Sequence, residues 1–182
     1  MPTKKEVVLD AAIEVLGTRG SRGLTHRAVD EVAQVPTGTS SNYFRTRNAL
    51  LEGIVVRLVE RDRSDWEMLN ALPVPDTVDG VIDGATAWLL YSLGPDRTRT
   101  AARYALFLES ATTAELQPPL LRARRELVAW AEGLLSGIID DPAGVVTILM
   151  DYVEGATLHQ LCLPVPDFDP RPAIAKLVRS FV

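Results

Sequence analysis

Residues 25–44 read Thr-His-Arg-Ala-Val-Asp-Glu-Val-Ala-Gln-Val-Pro-Thr-Gly-Thr-Ser-Ser-Asn-Tyr-Phe, and the fold turns on this stretch. Thr25 can cap a short helix in which Ala28, Val29, Val32 and Ala33 recur at helical spacing, and Pro36 interrupts it after Gln34-Val35. A second short segment, Thr37 to Phe44, follows the break. Two short helices about a tight turn make a helix-turn-helix by pattern. The first helix carries small Ala28 and Ala33 where a crossing helix must come close. The outer face of the second carries Thr37, Thr39, Ser41 and Asn42, short donors and acceptors suited to base edges and phosphates. Gly38 lets a backbone approach a phosphate, Tyr43 has a hydroxyl to donate, and no acidic residue lies on this segment. An αα-hairpin with a solvated Ser/Thr-rich loop carries the same pattern.

Outward from this stretch every run has the helical period. Leu9, Ala12, Ile13 and Leu16 predict an amphipathic helix from residue 4 to about 17, stopped near Gly17 and Gly20. Thr46 caps a long helix with Leu50, Ile54 and Leu58 on one face, running to about Leu69. A turn at residues 73–77 leads to a helical face of Val78, Val81, Ile82, Ala85, Trp88 and Leu89 that ends at Gly94-Pro95. Residues 96–113 carry Ala101, Tyr104, Ala105 and Leu108 at helical spacing, and Pro118-Pro119 opens a helix with Leu120, Leu127, Ala131 and Leu134. Asp141-Pro142 and Asp169-Pro170 each place a capping carboxylate before a proline whose missing N–H costs nothing in a first turn. No stretch alternates long enough for a strand, so the class is all-α with about nine helices. The helix from Val145 to Cys162 is apolar on more than one face, which implies burial on two sides, either in its own bundle or against a partner subunit.

The 182 residues are 47% hydrophobic and 24% charged, which excludes disorder and fibre. One cysteine, Cys162, forms no intrachain disulfide, and Met-Pro-Thr-Lys-Lys-Glu lacks the apolar core of a signal peptide, so a cytoplasmic protein is expected. The longest run without Asp, Glu, Lys or Arg is 13 residues, from Val32 to Phe44, whereas a spanning helix needs about 20. No membrane partner is expected. The net charge is −5, but residues 1–57 hold eight Lys/Arg against six Asp/Glu while the remainder is at −7. A slightly basic head on an acidic body suits a chain whose head alone faces a polyanion; imbalances of this size also arise by chance.

The sequence resembles the TetR family of transcriptional regulators. The resemblance rests on Leu24-Thr25-x-Arg27-Ala28-Val29, Ala33 and Val35 before the break, Gly38-Thr39, Tyr43-Phe44, and Thr46-Arg47-x-Ala49-Leu50-Leu51. Gln34 stands where a glycine usually precedes the valine of the turn, and must take the turn conformation with a side chain. Thr37 replaces a common lysine and Ser41 a frequent aromatic. The resemblance implies a DNA-binding domain over 1–50 and a helical ligand-binding and dimerisation domain over 51–182, linked by the helix from about 46 to 69. Thr25, Arg27, Tyr43 and Arg47 would touch backbone phosphate, and Thr37, Gly38, Thr39, Ser41 and Asn42 would face the bases or their phosphates. The implied molecule is a homodimeric repressor of a palindromic operator, released by a small apolar or amphipathic effector. Its dimer would form through the last two helices, with Leu149, Val153, Leu161, Ile174, Leu177 and Phe181 as interface candidates. Among Trp66, Trp88, Tyr91, Tyr104, Phe107, Trp130 and Tyr152, a pocket is expected around Trp88, Tyr104, Phe107, Trp130 and Tyr152, with Glu109, Asp151 and His159 as polar candidates.

Other chemistry finds little support. His159 and Cys162 share a helix face, but no CxxC, HxxxH or ExxH pattern supplies further ligands, so no metal is expected. Without a nucleophile elbow or glycine-rich phosphate loop, neither an enzyme nor a bound cofactor is expected. The rival reading is a helical dimerisation module without sequence-specific DNA binding.

Overall fold

In the computed structural model the described residues are 2–70 and 75–182, those at 66–70 by their helical backbone alone. Trp66 as a pocket side chain, and Pro73 and Val74 of the expected turn, lie outside the described residues. Nine α-helices and one 3-10 turn, Ala114–Leu116, follow one another, and no strand occurs among the described residues. The helices are α1 (Lys4–Gly23), α2 (His26–Val32), α3 (Thr39–Tyr43), α4 (Arg47–Asn70), α5 (Val78–Leu93), α6 (Arg97–Ser110), α7 (Gln117–Leu135), α8 (Pro142–Cys162) and α9 (Arg171–Arg179).

The chain gathers into two compact units, one of residues 1–69 and 98–123, the other of residues 70–97 and 124–182. The first therefore holds more than the first fifty residues: α4, most of α6 and the first turns of α7 share its core. Val8, Ala12, Val15 and Leu16 of α1 are buried with Leu50, Leu51 and Ile54 of α4, Leu106 of α6 and Leu116. Thr3 opens α1 with a reciprocal box in which its hydroxyl accepts from the Glu6 amide and the Glu6 carboxylate accepts from the Thr3 amide. Gly17 does not stop the helix, as the sequence suggested. A Cβ there would lie 2.1 Å from the Thr98 carbonyl oxygen, so this glycine serves close approach of α6. The break falls at Gly20, with φ 68 and ψ −179, and the turn beyond it leads into α2. Charge is concentrated on α4. Arg57 pairs with Asp10 through two bonds of 2.9 Å, and the buried Arg99 of α6 pairs with Asp65 and approaches Asp62, which also holds Arg103 at 2.6 Å.

The second unit packs α5 against α8 and α9 around Ile82, Leu89, Val145, Ile174 and Val178. Thr77 caps α5 by accepting from the Gly80 amide at 3.1 Å, and Asp141 caps α8 by accepting from Gly144 at 3.0 Å. At α9 the expected start moves by one residue. Pro170 is itself the cap, and Asp169 accepts from the Arg171 amide at 3.0 Å. No described helix is long and apolar enough to cross a membrane.

Candidate nucleic-acid interface

The candidate interface consists of α2, the turn after it, and α3. Thr25 caps α2, its hydroxyl oxygen accepting from the Ala28 amide at 3.2 Å, which leaves the hydroxyl proton to point outward. The turn requires a left-handed residue, and Gln34 supplies it at φ 53. Gly38 then takes φ 93 immediately before α3.

Only five residues long, α3 has no capping side chain of its own, and Asp30 of α2 takes that part. One carboxylate oxygen accepts from the Gly38 amide at 2.7 Å and the other from the Ser40 amide at 2.8 Å. A negative charge at the helix start answers both its free N–H groups and its dipole. Asp30 is 3% exposed; burial works to raise its pKa, yet the Ser40 hydroxyl and amide and the Gly38 amide hold it below the ordinary carboxylate value. Ser40, fully buried, donates its hydroxyl to the His26 carbonyl at 3.2 Å and lies 3.1 Å from His26 Nδ1. Asp30 and the His26–Ser40 contact were not read from the sequence. Their partners lie eight to fourteen residues apart, beyond the reach of helical spacing rules.

What remains outward is short and polar. Thr37, Asn42 and Tyr43 are exposed, as are Thr25 and Arg27 at the start of α2. Thr39 donates its hydroxyl to the Pro36 carbonyl at 2.6 Å and Ser41 to the Gly38 carbonyl at 2.9 Å, so each hydroxyl oxygen keeps its lone pairs for accepting. The Gly38 N–H is turned inward to Asp30 and is not free for a phosphate; its contribution is the left-handed turn and the missing side chain. Lys5 of α1, which the motif left aside, brings its ammonium to 5.7 Å from the Phe44 ring centre, beside the end of α3. Arg47 is tied down from within. Its guanidinium donates to the Leu24 carbonyl at 3.0 Å and to the Ser21 carbonyl and hydroxyl at 2.9 and 2.6 Å, with Glu109 of α6 at 3.8 Å.

Residues 76–182 match a family model described as tetracyclin repressor-like, C-terminal domain. The chain belongs to the TetR family. Among solved structures, one described as a TetR-family transcriptional regulator from Rhodococcus sp. is 23% identical, with 98% of each chain covered and a TM-score of 0.76. A member of the TetR family from Streptomyces coelicolor A3 is 24% identical, with 100% of this chain and 99% of that one covered, at 0.71. The multidrug binding protein EbrR, complexed with ethidium, is 25% identical over 100% of this chain and 99% of its own, also at 0.71. No curated protein matches.

In this TetR-family chain the five aromatic pocket candidates divide between the units. Tyr104 and Phe107 stand edge to face on α6 with centres 5.8 Å apart, both half-buried. Trp88 is half-buried on α5 and stands 6.2 Å from Tyr91, while Trp130 and Tyr152 are half-buried on α7 and α8. Burial pushes the Tyr152 hydroxyl pKa up. Of the polar candidates, Glu109 accepts from Ser21 and Asp151 is engaged by Arg124, which also holds Glu154 at 2.7 Å. His159 is exposed near the end of α8.

The interface candidates also separate. Ile174 is fully buried and Leu149 is 9% exposed, both in the core of their own unit, so neither offers a face to a partner. Val153, Leu161, Leu177 and Phe181 are half-buried, and Ile148, not singled out in the sequence, is 48% exposed. An apolar stripe marks that a helix face is covered and not what covers it.

Proposed function

We propose that the chain is a homodimeric repressor that binds a palindromic DNA operator and releases it when a small apolar or amphipathic molecule binds, acting in the cytoplasm. The observation that carries this reading is the α3 helix held at its N-terminus by Asp30, with Thr37, Asn42 and Tyr43 exposed beside Thr25 and Arg27. In this arrangement Thr25, Arg27, Tyr43 and Lys5 meet phosphates on either side of the groove, and Thr37, Thr39, Ser41 and Asn42 meet base edges. Two such heads in one dimer reach half-sites about 34–36 Å apart, one turn of duplex.

The effector reading is supported by the EbrR complexes with ethidium, proflavin and malachite green, all aromatic molecules. Tyr104 and Phe107 in one unit and Trp88, Trp130 and Tyr152 in the other are the aromatic surfaces proposed to receive a ligand of that kind. A ligand that prefers one spacing of the heads shifts the population between DNA-competent and incompetent states, with a coupling of about 1–3 kcal/mol.

Selection of bound DNA from a random duplex library, followed by binding of the enriched site at several salt concentrations, tests the proposal. An enriched palindrome whose affinity falls steeply with salt is expected. No enrichment by folded, dimeric protein would leave the dimerisation module as the reading.

A further inference from the structure

Arg47 stands where the motif expects a phosphate contact, yet three of the five N–H donors of its guanidinium are turned inward. Nη1 donates to the Leu24 carbonyl, Nη2 to the Ser21 carbonyl and hydroxyl, and Glu109 sits 3.8 Å away. The Ser21 hydroxyl in turn donates to the Glu109 carboxylate. Three helices meet at this point: the last turn of α1, freed from the helix by Gly20, the start of α4, and the end of α6. We infer that Ser21, Arg47 and Glu109 are positioning residues for DNA recognition, fixing the entry of the chain into α2 and not touching the duplex themselves. The inference rests on the DNA-binding reading above.

The physical case is one of satisfied groups. The Ser21 carbonyl accepts the Leu24 amide at 3.3 Å as well as Arg47, and a fork-shaped cation bridges it to the Leu24 carbonyl in a way a lysine cannot. Leu24 precedes the Thr25 cap of α2 by one residue, so whatever fixes Leu24 fixes where α2 starts and where Thr25 and Arg27 point. Glu109 closes the circle by accepting from Ser21 and balancing Arg47. A carboxylate that only lay near the DNA would repel it, and its removal would strengthen binding. Here removal loosens the junction and weakens binding, and the sign separates the two.

The test uses the full chain and its selected operator. Glu109→Gln keeps the shape and removes the charge, Ser21→Ala removes the bridging hydroxyl, and Glu115→Gln, an exposed acid on the 3-10 turn, is the control for charge alone. Expected are a three- to tenfold loss of affinity, roughly, for Glu109→Gln and for Ser21→Ala, and a double variant little worse than either. The salt slope stays that of the wild type in all of them, while Glu115→Gln binds as tightly or tighter. Arg47→Ala loses affinity at an unchanged salt slope, and Arg47→Lys does not restore it; melting curves confirm that each variant is folded. If the wild type binds its operator but Glu109→Gln binds as well or better, the inference is overturned. It is equally overturned if Arg47→Ala flattens the salt slope by about one ion per head, the mark of a direct phosphate contact. A wild type that binds no duplex removes the DNA reading and the junction's role with it.

Discussion

Gln34 holds a backbone conformation that costs a residue with a Cβ about 1 kcal/mol or more, and it does so at the turn on which the recognition helix depends. Gln34→Gly is expected to stabilise the protein by about 0.5–1 kcal/mol, part of the relief being offset by the greater freedom of glycine in the unfolded chain. Denaturant melts of the two proteins check this. Asp30 makes the opposite case. Asp30→Asn keeps one acceptor and loses the other along with the charge, so about 2 kcal/mol of stability should go, with hydrogen exchange quickening first at the amides of 38 and 40. The pH dependence has a fixed sign. Because the folded-state pKa of Asp30 lies below its ordinary 3.8, its contribution is complete above about pH 4 and is lost as the pH falls through the lowered value. A wild type that loses stability on acidification more steeply than Asp30→Asn is the expected result. Asn42, exposed on α3, is expected to change the preferred base at one operator position when replaced by alanine, read from repeated library selection. At this scale the strained Gln34 was legible, since a motif demanding a left-handed residue met a side chain there. Asp30 was not, because nothing in a sequence says which of several acids will fold back across a turn.

At the scale of elements, the helices and most of their caps follow from apolar spacing and from Thr25, Thr46, Thr77 and Asp141, each of which accepts from an amide three residues on. Several boundaries moved, two of them for a clear local reason. Asp169 reaches the Arg171 amide from one residue further out, and Gly17 lies inside α1 because glycine marks both a chain break and a close crossing. Spacing along one helix cannot distinguish these, since the second depends on where α6 passes. Gly17→Ala places a methyl group against the main chain of Thr98, which no rotamer can relieve. A loss of more than about 2 kcal/mol is expected, measured as a fall in the urea midpoint with the slope unchanged.

At the scale of the whole molecule, the charge imbalance and the all-helical class were visible from composition and period, and residues 76–182 match a C-terminal-domain family model. The interface candidates divide. Leu149 and Ile174 turn into their own core, while Ile148, one residue from Leu149, is open. Neighbouring positions on an apolar helix point about 100° apart, so choosing between them needs the packing partner. Ile148→Glu is expected to shift the proposed dimer toward monomer in sedimentation experiments while leaving the monomer folded, since the side chain contributes little to its own core. Operator affinity should fall with it, because two heads on one palindrome gain from their linkage.

The crossing at Gly17 has one more meaning. Atomic repulsion between two backbones rises so steeply that the contact with Thr98 sets a floor below which α1 and α6 cannot approach. Glu109 lies eleven residues beyond Thr98, about 16 Å along the helix, so α6 meets α1 a second time at its far end, there through a side chain.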